Sequence, residues 1–282
     1  MSYQPSALQL QREAAKRRAS RRSVLIALAS TLIFGLALTI LITGAQGYEK
    51  VKASFFDWHY AKKALPYVLD GILLNLRVLI IAEFFVLIFG LLIAIARTST
   101  SPILYPLRLI ATIYTDLFRG LPLLLVLLLV GLGLPGLRIS WIPNSAVFLG
   151  TVALVLTYSA YVAEVIRAGI EGVNPTQRQA ARALGLSHSQ TLEHVVLPQA
   201  FRNVTPPLLN DLVSLQKDSG LISVLGAVDA IRAAGIQTAQ SFNFTPYLVA
   251  GALFVALTIP LTRFTDWLTR RQDKLQKAQG AW

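Results

Sequence analysis

The chain has 282 residues, 54% of them hydrophobic and only 14% charged, with a net charge of +12 and no cysteine. Soluble domains carry about 25% charged residues, so this balance points to a bilayer, and the lack of cysteine excludes disulfides and thiolate metal sites. The basic excess does not mark nucleic-acid binding: Arg12, Lys16, Arg17, Arg18, Arg21 and Arg22 sit just before the first apolar run, and Arg270, Arg271, Lys274 and Lys277 follow the last, which is where topogenic charge belongs.

Run length settles the class, because about 20 apolar residues cross a hydrocarbon core of about 30 Å. Residues 1–23 read as a basic tail whose charge is topogenic, the alternative being a seat on anionic lipid headgroups. Residues 24–43 form the first span, free of charge throughout. The run is longer than the apolar stretch of a signal peptide and is read as retained. Residues 44–69 are mixed and aromatic and are read as external, with Trp58, Tyr60 and Tyr67 suited to the interface belt.

The second span is predicted over 71–96 and contains Arg77 and Glu83. Arg97 and Arg108 flank an inner loop, in which residues 103–120 look like an amphipathic lead-in to the third span, 120–134. Asp116 and Arg119 are expected to pair there. A turn with Pro135, Gly136 and Pro143 precedes the fourth span, 145–166, which ends on Glu164 and Arg167. The fifth, 204–225, is interrupted by Asp211, Lys217 and Asp218, residues 226–245 are external, and the sixth is 247–268. The fold class is therefore an all-α membrane protein of about six transmembrane helices. Both termini are cytoplasmic on the positive-inside bias, and residues 269–282 form a second basic tail.

Residues 170–202 do not fit a chain so committed to hydrocarbon. Asn174 before Pro175 signals a helix start, since Asn caps free amides and proline fits the first helical position. Ala180, Ala183 and Leu184 share one face, and Gly185 stops the turn. Leu192, Val195 and Val196 then line a second short helix, which Pro198 either ends or succeeds with the next. Two short helices with a glycine elbow result, with alanines that permit close approach by another surface. An inner-surface loop with no partner has the same periodicity.

The spacing carries more. Gln179-Ala180-Ala181, Gly185, Val195 and Leu197-Pro198 resemble the "EAA" cytoplasmic loop of permease subunits of bacterial ATP-binding-cassette importers. The family's glutamate is replaced by Gln179 and its usual isoleucine by Val195. YTDLFRGLPLLL (114–125), YVAEVIRAGIEGV (161–173), KDSGLISVLG (217–226) and FNFTPY (242–247) are similar to the polar-amino-acid branch, so the likeness runs from about Leu65 to Arg271. The resemblance implies a five-helix permease core over 70–268 in a bacterial cytoplasmic membrane, with the first span as an addition. It implies that Pro175, Gln179, Ala180, Ala181, Ala183, Leu184, Gly185, Leu197 and Pro198 form the coupling site for a separate ATPase. The implied partners are two such ATPases, a second permease (identical or homologous) and an extracytoplasmic solute-binding protein. The chain has no G-x-x-x-x-G-K-[ST] loop, so ATP and Mg would be held by the ATPases. Polar amino acids are the implied cargo: an acidic amino acid, its amide and a basic one all stay open, with glutamate or glutamine slightly favoured.

Charges inside spans face a pathway or one another. Lys217, Asp218 and Ser219 are candidates to line the translocation path, the alternative being a locally satisfied helix break. Gly220 stands where that branch often has serine, which would remove a hydroxyl from the path. Glu164 either makes an ordinary i, i+3 pair with Arg167 or meets a substrate amino group. Glu83 and Arg77 lie on different faces, so each needs a partner on another span. No nucleophile–base pair or carboxylate dyad assembles, so the chain itself is read as a transport subunit and not an enzyme. An ion-driven secondary transporter is the competing reading, but it leaves the elbowed loop unexplained.

Overall fold

The computed structural model describes the backbone of residues 7–99 and 101–279, and the side chains of 22–99 and 101–272. The ends of both predicted tails lie outside these residues. The described chain divides into two compact units, Met1–Asp57 and Trp58–Trp282.

The first unit contains α1 (Ala7–Thr43) and α2 (Tyr48–Phe55). The apolar part of α1, Arg22–Thr43, is long enough to span and has none of its hydrophobic window buried. Its hydroxyls do not demand water. Thr31 Oγ1 donates to the Ala27 carbonyl at 2.7 Å, and Thr39 Oγ1 to that of Gly35 at 2.8 Å, so the helix satisfies its own polar groups, as hydrocarbon requires. Residues 48–55, read from sequence as part of an external stretch, are helical.

The second unit is built on α3 (Trp58–Thr98), α4 (Tyr105–Gly120), α5 (Leu123–Gly136) and α6 (Ala146–Glu171). These are followed by α7 (Pro175–Ala183), α8 (His188–Thr191), α9 (Leu197–Asp218), α10 (Ala230–Ser241) and α11 (Thr245–Gln279). Among the described residues four helices are long and apolar enough to cross a membrane. There are six if the bent pairs α4–α5, at 109°, and α9–α10, at 49°, each count as one span. Helix α3 begins well before the predicted second span, and its 41 residues extend about 60 Å at 1.5 Å per residue. Helix α5 is the opposite case, 14 residues long and so about 21 Å, too short to cross alone. The break before it follows from Pro122, which disfavours helix at Leu121; that residue is extended at ψ 137°. The predicted lead-in, 103–120, is α4, with Ala111 and Thr115 on its buried face.

Helices α3 and α6 form the centre. Val78, Ala82 and Val86 of α3 pack with Leu127 of α5, Leu154 and Val162 of α6, and Leu215 of α9 in one apolar cluster. A second cluster joins Ala64, Val68 and Ile72 of α3 to Ala230 and Ala234 of α10 and Ala250 of α11. Small residues let the backbones meet. A Cβ on Gly71 would lie 2.4 Å from the Ala230 nitrogen, so α10 sits directly on α3. Residues 226–245, read from sequence as external, therefore contain a packed helix. Alternation of Ala, Gly, Gln and Thr hid it, because its buried face is small and polar where the reading sought large apolar residues.

Candidate coupling and translocation site

The loop after α6 is held by side chains and caps at every turn. Asn174 Oδ1 accepts from the Thr176 amide at 2.9 Å, and Pro175 occupies the first turn of α7, the predicted start. At the other end Gly185 has φ +87°, a left-handed conformation that favours glycine. Its amide donates to the Arg182 carbonyl at 3.0 Å and the Leu186 amide to that of Ala181 at 3.2 Å. This paired closure is a Schellman motif. The elbow is thus a rigid stop. Helix α8 begins with a capping box in which Ser187 and Gln190 bond each other's backbone amides. The S-x-x-Q spacing announces it, and the sequence reading passed over it.

Pro198 opens a helix. A wide π turn, Leu192–Val196, carries the chain from α8 into α9, and Pro198 lies in the first turn of α9. Leu197 and Pro198 therefore start the fifth span, which runs without interruption past Asp211 and ends at Asp218 in a short 3-10 segment, Ser219–Leu225. Asp211 does not break it.

The loop is anchored to the spans at its back. Val173, Val196 and Ala200 form a small buried cluster with Ile170. Arg178 Nη2 donates to the Ile170 carbonyl at 2.6 Å, and Asn203 Nδ2 to that of Gly169 at 3.4 Å. Ala181 is turned inward and only 4% exposed, which removes it from the outward set. Pro175, Gln179, Ala180, Ala183, Leu184 and Gly185 are exposed, and Leu184 is 85% exposed. Gln179, Ala180, Ala183 and the projecting Leu184 thus face outward from an anchored base.

The candidate path residues separate. Lys217 is exposed. Asp218 accepts from the Tyr158 hydroxyl at 2.6 Å, a link from α9 to α6 that no local spacing signals. Ser219 is 1% exposed, and its hydroxyl donates to the Gln216 carbonyl at 2.8 Å; it is occupied within its own turn. A Cβ at Gly220 would meet Ile231 Cδ1 at 2.8 Å and Phe254 Cζ at 3.1 Å. The space beside Gly220 is thus filled by side-chain ends from α10 and α11.

Glu164 pairs with Arg167 at 2.6 Å as expected, and also with Arg97 at 2.6 Å and Arg119 at 3.7 Å. Its carboxylate is shared among three guanidiniums, which favours a structural junction over a contact for a substrate ammonium. Arg119 thus turns to Glu164, and no ion pair with Asp116 occurs among the described residues. Glu83 and Asp211 are electrostatic neighbours across α3 and α9, and neither forms an ion pair among the described residues. Glu83's neighbour on another span is therefore an acid. Arg77 is exposed.

Asn75, also missed, is 3% exposed in the middle of α3. Its amide nitrogen donates to the Ser219 carbonyl at 3.0 Å and to Asp229 Oδ2 at 3.1 Å, and its oxygen accepts from the Ala230 amide at 3.2 Å. It ties both segments flanking the α9–α10 bend to α3. A lone asparagine inside an apolar helix is the available signal, since such a group must find partners.

Residues 87–274 match the binding-protein-dependent transport system inner membrane components. The chain belongs to this family. It is 36% identical over 199 residues to the arginine transport system permease protein ArtQ of Bacillus subtilis, covering 70% of this chain and 89% of that one. It is 32% identical over 222 residues to the glutamate/aspartate import permease protein GltK of Escherichia coli, covering 77% and 98%. A chain of a solved amino acid ABC transporter with histidines superposes with a TM-score of 0.71 at 35% identity, covering 76% of this chain and 98% of that one. The protein is therefore a multi-pass inner-membrane transport component, and its family region begins within α3 and ends within α11.

Proposed function

We propose that this chain is the permease subunit of an ATP-driven importer that moves polar amino acids into the cytoplasm by alternating access. The observation that carries the coupling half of this reading is α7: an exposed face of Gln179, Ala180, Ala183 and Leu184, closed by a rigid elbow and anchored to α6 and α9 from behind. Such a face suits insertion into a groove of a separate ATPase, with Pro175, Gly185, Leu197 and Pro198 setting its position. Two ATPases holding ATP and Mg, a second permease and an extracytoplasmic binding protein would complete the assembly, with both termini of this chain in the cytoplasm. Lys217 and Asp218 are the residues we assign to the path, because they stand where α9 gives way to the 3-10 segment. The relatives named for arginine and for glutamate/aspartate support a polar amino acid as cargo. Tagged protein extracted gently from native membranes is expected to bring an ATPase with it, and an Ala183→Asp variant that reaches the membrane is expected to bring none. A stable wild type that recruits no ATPase in any mild detergent would overturn the reading.

A further inference from the structure

We infer that Glu164 is a positioning residue for transport: it joins the end of the helix leading to α7 to the ends of two other helices, so that movement of α7 reaches the spans. This rests on the proposed docking of an ATPase at α7, and it concerns residues that do not touch that face. Four observations carry it. First, Glu164 Oε2 accepts from Arg97 Nη1 at 2.6 Å and lies 3.7 Å from Arg119 Nη1, while Oε1 accepts from Arg167 Nη2 at 2.6 Å. Arg97 is in the last turn of α3 and Arg119 in the last turn of α4, so one carboxylate on α6 bonds α3 and α6 and draws in α4.

Second, the joint is sheltered. The side chains of Arg97 and Glu164 are 11% and 19% exposed. A partly buried charge that loses its partner costs far more than an exposed one, so Arg97 has a strong reason to follow Glu164. Third, Arg119 stands two residues before the Leu121-Pro122 break, where α4 and α5 meet at 109°. A pull on Arg119 acts at the bend of a broken span. Fourth, α7 is tied back to α6 by Arg178 on the Ile170 carbonyl. A displacement of α7 is therefore delivered to the same end of α6 that holds Glu164. Arg167 also pairs with Glu171, within α6. That second pair joins nothing to another helix and serves as an internal contrast.

The test uses the whole complex in proteoliposomes, with ATP hydrolysis and uptake of labelled arginine and glutamate measured side by side. Glu164→Gln is expected to keep the ATPase bound and hydrolysing, while uptake per ATP falls about tenfold, within the range of ordinary coupling between sites. Glu164→Asp, which keeps the charge one methylene shorter, is expected to recover about a third of wild-type uptake per ATP. Glu171→Gln is expected to change neither quantity. Should Glu164→Gln fail to assemble, Arg119→Gln removes the longest and most exposed arm alone, with an expected fall of about threefold at unchanged hydrolysis. Unchanged uptake per ATP in Glu164→Gln, or in Arg119→Gln where the first variant does not assemble, overturns the inference. Wild-type protein that binds no ATPase or imports neither amino acid overturns the underlying function instead, so the two failures are distinct.

Discussion

Leu184 offers a direct measure of whether α7 is seated in a partner. It is 85% exposed and caps the C-terminal end of α7, so the isolated permease gains almost nothing from its isobutyl group. Truncation to alanine removes three carbons. At about 0.8 kcal/mol per buried carbon this is about 2.4 kcal/mol, or about 2 kcal/mol once scaled by the exposed fraction. At 1.4 kcal/mol per decade, Leu184→Ala is expected to weaken ATPase binding roughly thirtyfold. The assay is a titration of the ATPase onto permease in nanodiscs, with the melting temperature of the permease alone as the control. That melting temperature is expected to stay within about 2 °C of wild type, as for an exposed substitution away from structural features. Unchanged affinity would place Leu184 outside the interface and refute the docking face. A large fall in melting temperature would show that Leu184 supports the fold instead.

Two substitutions test the packing that carries the site. A Cβ at Gly71 would lie 2.4 Å from the Ala230 nitrogen and 2.5 Å from the Asp229 carbonyl carbon. Gly71→Ala therefore forces α10 back and stretches the Asn75 bonds to Asp229 and Ala230; about 1–3 kcal/mol of overpacking plus about 1 kcal/mol for each weakened bond gives about 3–5 kcal/mol. Melting in detergent is expected to drop by roughly 10 °C, whereas Gly251→Ala, where nothing lies within 4 Å, should melt no lower than wild type. Gly185→Ala places a side chain at φ +87° for about 1–2 kcal/mol. It is expected to speed proteolysis at the elbow and weaken ATPase binding, while global melting stays nearly constant.

The parts of this protein that were legible in its sequence are those governed by local chemistry. The start of α7 at Asn174-Pro175, the left-handed stop at Gly185 and the Glu164–Arg167 pair each depend on residues a few positions apart. Ser145, at the predicted start of the fourth span, caps α6 by accepting from the Phe148 amide at 3.1 Å. Spacing of that kind survives translation from string to helix. The amphipathic lead-in before Pro122 was equally readable, because a proline dictates where α4 must stop.

What escaped the sequence is what distant helices decide together. Arg97 sits 67 residues from Glu164, Asn75 lies 154 from Asp229, and Tyr158 is 60 from Asp218; no periodicity links members of such pairs. The bilayer makes these pairings consequential. A polar group in an apolar helix has no water to fall back on, so each must meet a partner from elsewhere in the chain. Those partners are chosen by how closely the helices approach, which small residues such as Gly71 control. The composition of α10 misled for the same reason: a helix that packs through Ala230, Ala233 and Ala234 needs no large apolar stripe. Contact between backbones does the work that bulky side chains do in a soluble core. In this protein a charge or amide inside a span is therefore first a clue to which helices touch. Glu164, whose carboxylate meets arginines of α3, α4 and its own α6, is the contact of this kind that we propose as a route for movement.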